Sequence, residues 1–434
     1  MNIGGNIVNN SWKFIWSLLI ALVASNSAWS AEPENLYGEN FTLEIFGNAN
    51  MDNTIDEMDV AYVEGVIKGT NAATNLSDAN YDGAIDEKDL TQIELIIRGE
   101  DTELTFKDLY GDVVTVHKPI KRIVSGHSTL FQVLRALGAE NEIVGIDKYT
   151  IEMGKVFLQD SADLPSVGGN SLDSKDYEAI LALHPDVFLD NAWYPTLAKE
   201  VQEKVPGVPV IGLMCTNMPL SNATESIIKL GYIIDRRDEA KEFTKWYNGY
   251  ISKITERTSK LSEDELQKVY IECYTPFECF CQFDNLLDLA GGKNVGADQC
   301  NKGYEGYGFT VDPEWVIEQN PDVIIYINTN ISGSYDKDDL QKAIDTRKEI
   351  FKRTGFNNIT AVKEGRVYLM DRYGVAIFPT YVLGTAYMAK WFHPDLFEEL
   401  DPQAIHQEYL TRFQHLDYDL DEHGVFVYPP LNES

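Results

Sequence analysis

Two stretches of this chain carry oxygen side chains at regular short intervals. Asn48, Asn50, Asp52, Asp56 and Asp59 stand at positions 1, 3, 5, 9 and 12 of NANMDNTIDEMD; Asp78, Asn80, Asp82, Asp86 and Asp89 take the same positions in DANYDGAIDEKD, thirty residues on. Calcium takes six to eight oxygens around a tight turn, and the carbonyls of Thr54 and Ala84 at position 7 complete each cage. Position 6 must turn sharply, which Gly83 does freely and Asn53 does next best. Ile55 and Ile85, at position 8, are placed to pin the loops to a small core. Loop 2 offers four carboxylates and loop 1 three, so two calcium ions are expected, with the tighter site at residues 78–89.

A second set of candidates sits just after apolar runs that read as strands. His127, Lys148, Tyr149, Trp193 and Tyr194 follow such runs in the first half of the chain, and Tyr274, Tyr304, Tyr307, Arg372 and Tyr373 in the second. In open α/β sheets ligands bind beyond the carboxyl ends of the strands, so these residues would line one cleft. Aromatic faces supply contact area and Arg372 suits an anionic edge, which fits a flat or bulky, partly apolar ligand. His127 either ligates a metal, donates to an anionic ligand, or is an exposed loop histidine. The string GYEGYG near Tyr304 has neither the lysine nor the strand-to-helix frame of a phosphate loop. No Ser-His-Asp set or carboxylate pair is brought together by this element order, so an enzyme is not expected.

The elements that must position these residues alternate. LTFKDLYGDVVTV has the period of two of a hairpin, and then short apolar strands and helices take turns, as in a parallel sheet covered on both faces. One unit recurs: EAILALHPDVFL from Glu178 and EWVIEQNPDVII from Glu314, each a glutamate, six residues, Pro-Asp and a buried strand. Between the copies, residues 238–261 place Ala240, Phe243, Tyr247, Tyr250, Ile254 and Leu261 on one stripe. With Asp235 as cap this predicts a helix of about 22 residues, ~33 Å long. The domains expected are a signal peptide (1–30), the acidic loops (41–103), a first lobe (104–220), linker helices (221–262), a second lobe (263–400) and an acidic C-terminal extension (401–434).

Composition narrows the partners. The formal charge of −33 repels nucleic acid, and residues 32–103 hold eighteen Asp or Glu against three Lys or Arg. Lys13 ahead of FIWSLLIALVA and the small-residue site ending at Ser30 predict a cleaved secretory signal, with a retained anchor as the alternative. No cysteine follows the apolar run to carry a lipid. Four of the five cysteines, Cys273, Cys279, Cys281 and Cys300, cluster, and a disulfide from Cys300 to Cys279 or Cys281 is expected over a metal site, since no histidines accompany them.

KRIVS, ALGAENEIVGI, VGG, both E-x6-PDV units, the long helix, LAGGKNVGA and KEGRVYLM occur in the order found in substrate-binding proteins of metal-chelate importers, and from about residue 104 to 400 the chain resembles that family. The resemblance implies an α/β fold of two Rossmann-like lobes joined by a rigid helical strut, and a monomer that captures a siderophore, haem or corrinoid for an ABC permease. It further implies that Glu178 and Glu314 meet arginines of the permease. Residues 45–100, a calcium loop and one helix repeated twice, resemble a dockerin type I module, which implies a cohesin partner and a receptor held at the cell surface or secreted. Glu57, Met58, Glu87 and Lys88 stand at the positions dockerins use for contact. The alternatives are a dockerin-borne, chelatase-like enzyme, which requires a polar catalytic cluster in the cleft, or a cell-surface adhesion component with no saturable ligand.

Overall fold

Each half of the chain builds a sheet around the same helix-then-strand unit. In this computed structural model the residues described are 41–169, 174–191, 197–213, 220–280, 284–300, 308–328, 334–336 and 338–431. They fall in one unit, Tyr37–Ser434. The strands are β1 (Glu103–Lys107), β2 (Val113–His117), β3 (Ile123–Ser125), β4 (Ile143–Ile146), β5 (Val187–Asn191), β6 (Val210–Leu213), β7 (Gln267–Cys273), β8 (Glu278–Phe280), β9 (Gly292–Asn294), β10 (Gly308–Thr310), β11 (Val323–Asn328), β12 (Val367–Asp371) and β13 (Val427–Tyr428). β1 and β2 form the expected hairpin. Lobe 1 is the parallel sheet β4-β3-β5-β6, and lobe 2 is ordered β10-β8-β7-β11-β12-β13 with β9 also on β7. In lobe 2, β7, β9, β11 and β12 pair in parallel, while β8, β10 and β13 join through antiparallel pairs.

The two repeats fold alike for a local reason. The helices Tyr177–Ala182 and Pro313–Gln319 are closed by left-handed residues, His184 (φ 44°) and Asn320 (φ 45°), directly before the prolines. Proline then stops the helix. The aspartate after each proline pins the neighbouring strand: Asp186 Oδ2 accepts from the N–H groups of Lys121 and Arg122 at 2.7 and 2.9 Å, and Asp322 Oδ2 accepts from that of Lys268 at 2.9 Å. Pro-Asp is therefore a stop followed by a staple, and it fixes β5 beside β3 and β11 beside β7.

The strut is a helix of 22 residues, Arg237–Thr258, burying Ala240, Phe243, Trp246, Tyr247, Ile251 and Ile254. Large apolar side chains fully buried in this way contribute ~1.5–3 kcal/mol each. Its cap differs from the expectation. Arg236 occupies that position, while Asp235 turns left-handed (φ 56°) and pairs with Lys118 at 2.6 Å. Lys118 is almost wholly buried and also meets Asp101 at 3.0 Å, so an ion pair distant in sequence outcompetes the local cap.

The core beneath the acidic loops is continuous with that of the rest of the protein. Ile55, Val63, Ala79, Ile93 and Ile96 belong to the same buried cluster as Leu104, Phe106 and Ile234. The Ile55 N–H donates to Tyr232 Oη at 3.1 Å, and Arg237, at the start of the strut, donates to the Ile96 carbonyl at 2.6 Å with its guanidinium over the Tyr232 ring. Arg237 thereby adds a second donor to a carbonyl at the end of helix Glu87–Arg98 that already accepts from the Gly99 N–H. The C-terminal extension is likewise more than an acidic tail, for Tyr409, Leu410, Phe413, Leu416, Tyr418 and Phe426 are buried. No helix among the described residues is long and apolar enough to cross a membrane.

Candidate functional site

His127 stands at a helix N-terminus. It caps the helix Ser128–Ala136, accepting from the Thr129 N–H at Nδ1 (3.1 Å) with Asn191 Nδ2 at 3.2 Å from the same nitrogen. An accepting Nδ1 puts the ring proton on Nε2, so the neutral ring is set to donate outward rather than to ligate. Burial, then the charges of Arg372 and Lys175, hold its pKa down to about 3. The Ser128 and Thr129 hydroxyls and Asn191 Oδ1 are buried beside it with no hydrogen-bond partner among the described residues. Lys175 Nζ, 3.3 Å from Asp190 Oδ1 and 5.1 Å from the centre of the Phe188 ring, completes the floor of lobe 1.

From lobe 2, Arg372 lays its guanidinium 5.3 Å from the Tyr274 ring centre and 5.9 Å from that of Phe280. Tyr274 (φ 59°) and Phe277 (φ 66°) hold left-handed backbone that costs an aromatic residue of order 1–3 kcal/mol. Their turn is fastened by Tyr326 Oη donating to the Tyr274 carbonyl at 3.1 Å and the Phe277 N–H donating to Glu272 at 2.9 Å. Glu272 is in turn gripped by two Arg353 bonds of 2.7 and 2.6 Å. Burial raises the Tyr373 phenol; the Arg372 charge opposes the rise, and Glu152, Asp147 and Tyr149 of lobe 1 add to it. Of the expected lining, Arg372 lies against Tyr274 within lobe 2, and its charge bears on His127 of lobe 1. Trp193, Tyr194, Tyr304 and Tyr307 lie outside the described residues.

Residues 123–373 match the family model described as periplasmic binding protein, more than half of the chain. The chain belongs to that family. As a periplasmic binding protein it is a non-catalytic, substrate-binding component serving an ABC importer. It is 26% identical over 311 residues to an uncharacterized ABC transporter substrate-binding lipoprotein, YvrC, of Bacillus subtilis, covering 68% of this chain and 87% of the relative. It is 23% identical over 344 residues to the molybdate-binding protein MolA of Haemophilus influenzae, covering 71% and 90%. The structure of MolA with molybdate superposes with a TM-score of 0.58 over 73% of this chain and 99% of MolA, at 20% identity. That of the TroA-like binding protein FepB from Veillonella parvula superposes at 0.59 over 74% and 98%, at 22% identity. Both show the shared two-lobe fold.

Several site residues of this binding protein were not singled out from sequence. Lys175, Asp190 and Asn191 meet only once β5 is laid beside the loop before helix Tyr177–Ala182. Asp147 and Asp371 had a visible signal, since both stand in strand-Asp-cation-Tyr strings, IDKY and MDRY. Each is buried and anchors the turn after it: Asp147 accepts from the Tyr149 N–H at 2.8 Å, and Asp371 from the Gly374 N–H at 2.7 Å. Burial pushes the Asp147 carboxyl up to about 6 and that of Asp371 up to about 7. Glu178 and Glu314 are both exposed in the first turns of their helices, one per lobe.

In acidic loop 2, Gly83 (φ 90°) makes the turn, Asp78 accepts from the N–H groups of Asp82 (3.1 Å) and Gly83 (2.9 Å), and Asp89 from those of Asn80 (3.2 Å) and Asp86 (2.8 Å). The Lys88 ammonium stands 2.9 Å from Asp82 and 3.8 Å from Asp86, where a positive charge is wanted. Loop 1 departs from its partner. Asn53 is not left-handed although Met51 (φ 63°) is, and Asn48 is fully buried, its amide donating to the carbonyls of Leu43 (2.8 Å) and Asp52 (2.7 Å). Asn48 Oδ1 is left buried without a hydrogen-bond partner, an oxygen of the kind a cation takes. Among the described residues no three His, Cys, Asp or Glu side chains converge as a bound ion requires. Cys273 and Cys279 are buried, and the expected disulfide partners Cys281 and Cys300 have side chains outside the described set.

Proposed function

We propose that this binding protein captures an iron or cobalt chelate, a siderophore, haem or corrinoid, for its importer. What supports this best is the Arg372 guanidinium lying over the Tyr274 and Phe280 rings, aromatic area around a cation. Glu178 and Glu314 dock to permease arginines, and the acidic loops hold calcium and tether the receptor to a cohesin-bearing surface. A second reading, a small oxyanion, is favoured by the unpartnered Ser128 and Thr129 hydroxyls at a helix N-terminus with Arg372 and Lys175 near. MolA is by name a molybdate binder.

The test is the absorption spectrum and native mass of protein purified from cells that make it. A Soret, catecholate, hydroxamate or corrinoid band supports the chelate, and a colourless adduct of oxyanion mass supports the second reading. Uptake by the double variant E178K/E314K should be lost with ligand affinity unchanged; lost affinity would refute the docking role.

A further inference from the structure

Residues 402–431 lie beyond the family-matched segment and run back over both lobes. On lobe 1 they hold the helix that His127 caps. Tyr409 Oη donates to Gln132 Oε1 at 2.9 Å, Gln414 Nε2 donates to the Gln132 carbonyl at 2.9 Å, and Arg135 donates to the Gln414 carbonyl, all of them buried. On lobe 2 they add β13 to β12, pairing Leu369 with Tyr428, and the Phe426 carbonyl accepts from the Asp371 N–H at 2.7 Å, one residue before Arg372. Between the two grips Tyr335 of lobe 2 stacks on Phe157 of lobe 1 at 4.7 Å and packs against Tyr418 and Phe426 at 5.4 and 4.6 Å. Beside it Asp336 accepts from the N–H groups of Lys155 and Val156 across the lobes, at 2.9 and 2.8 Å.

We propose that residues 402–431 are an interlobe strap that sets the aperture of the cleft. One end holds the helix that starts at His127 and the other holds the turn that carries Arg372. Spreading the lobes would strip buried polar groups of their partners and open the ring stack around Tyr335, so the two walls move as one body whether or not a ligand is present. The strap acts on the cleft without touching the ligand, and it stands whichever ligand reading holds.

Hydrogen exchange read by mass spectrometry on the full chain tests this. In the native protein, segments 128–137, 155–158, 371–376 and 409–416 should exchange as slowly as β5 and β11. In Y409F/Q414A, segment 409–416 and both walls, 128–137 and 371–376, should exchange about tenfold faster or more, with β5 and β11 unchanged. Fast exchange of 409–416 in the native chain overturns the proposal, as does a variant whose walls stay protected. If that variant does not fold, the native measurement still decides, together with D336A at the surface, which should speed exchange of 155–158 alone; an unchanged 155–158 overturns the interlobe contact around Tyr335 on which the strap rests.

Discussion

Replacing Lys175 by methionine tests the electrostatics of the cleft floor. The ammonium and the Asp190 carboxylate are 3.3 Å apart with both side chains 2% exposed, and Asp190 Oδ2 has no other partner among the described residues. Methionine keeps the length and removes the charge, leaving a buried carboxylate alone, which costs ~3–5 kcal/mol. Unfolding entropy of roughly 2.1 cal/mol/K per residue over Tyr37–Ser434 amounts to ~0.8 kcal/mol/K, so Tm should fall by about 4–6 °C. The deficit has a pH signature. Burial raises the folded-state pKa of Asp190 and Lys175 opposes that rise, so without Lys175 the folded protein holds a proton that the unfolded chain has lost. Stability then declines as pH rises, and the K175M deficit should be larger at pH 8 than at pH 5. K175M/D190N, which removes both charges, should recover most of the loss. Scanning calorimetry of the three proteins at the two pH values reads all of this. A K175M loss under about 1 kcal/mol, a deficit independent of pH, or a double variant no more stable than the single one would each refute the reasoning.

R353A should cost ~3–5 kcal/mol in urea unfolding, because Glu272 is wholly buried and Arg353 makes two of its bonds, whereas E272Q/R353M should cost far less. His406 is buried and held down to about 3 by burial, so between pH 6.5 and 3 the unfolded chain binds the extra proton and stability is lost as pH falls, by up to ~1.4 kcal/mol per unit. Asp371 and Asp147, raised to about 7 and about 6, act in the opposite sense, and urea midpoints of H406F should accordingly decline less on acidification from pH 6 to 4 than those of the native chain. Calcium titration by calorimetry should show D78A losing the tighter of two sites; loss of the weaker one would reverse the ranking of the loops.

What could be read in advance was local. The second repeat's helix, Pro313–Gln319, lies where its proline and Asp-Pro start place it, and β11 and β12 coincide with their apolar runs. The elements that escaped depend on distant neighbours. β8, β9, β10 and β13 are two or three residues long and exist because a sheet edge is there to receive them. The C-terminal segment reads as acidic because its charges outnumber the aromatics, yet those aromatics find the strut: Phe413 lies 5.0 Å from Phe243 and 4.9 Å from Trp246. In the site, the aromatic and cationic types were legible but their partners were not. Nothing in His-Ser-Thr marks a histidine cap, and Lys175 reaches Asp190 across fifteen residues only after the sheet has formed.

Arg237 joins the last turn of the acidic module to the first turn of the strut, and Lys118 ties Asp101 to Asp235 alongside it. These bonds make a load path. A pull on the module passes straight into the 22-residue strut, with no slack chain to absorb it. A force applied at residues 48–59 and 78–89 would therefore also turn the cleft, as a bracket bolted to a beam fixes the direction of the beam.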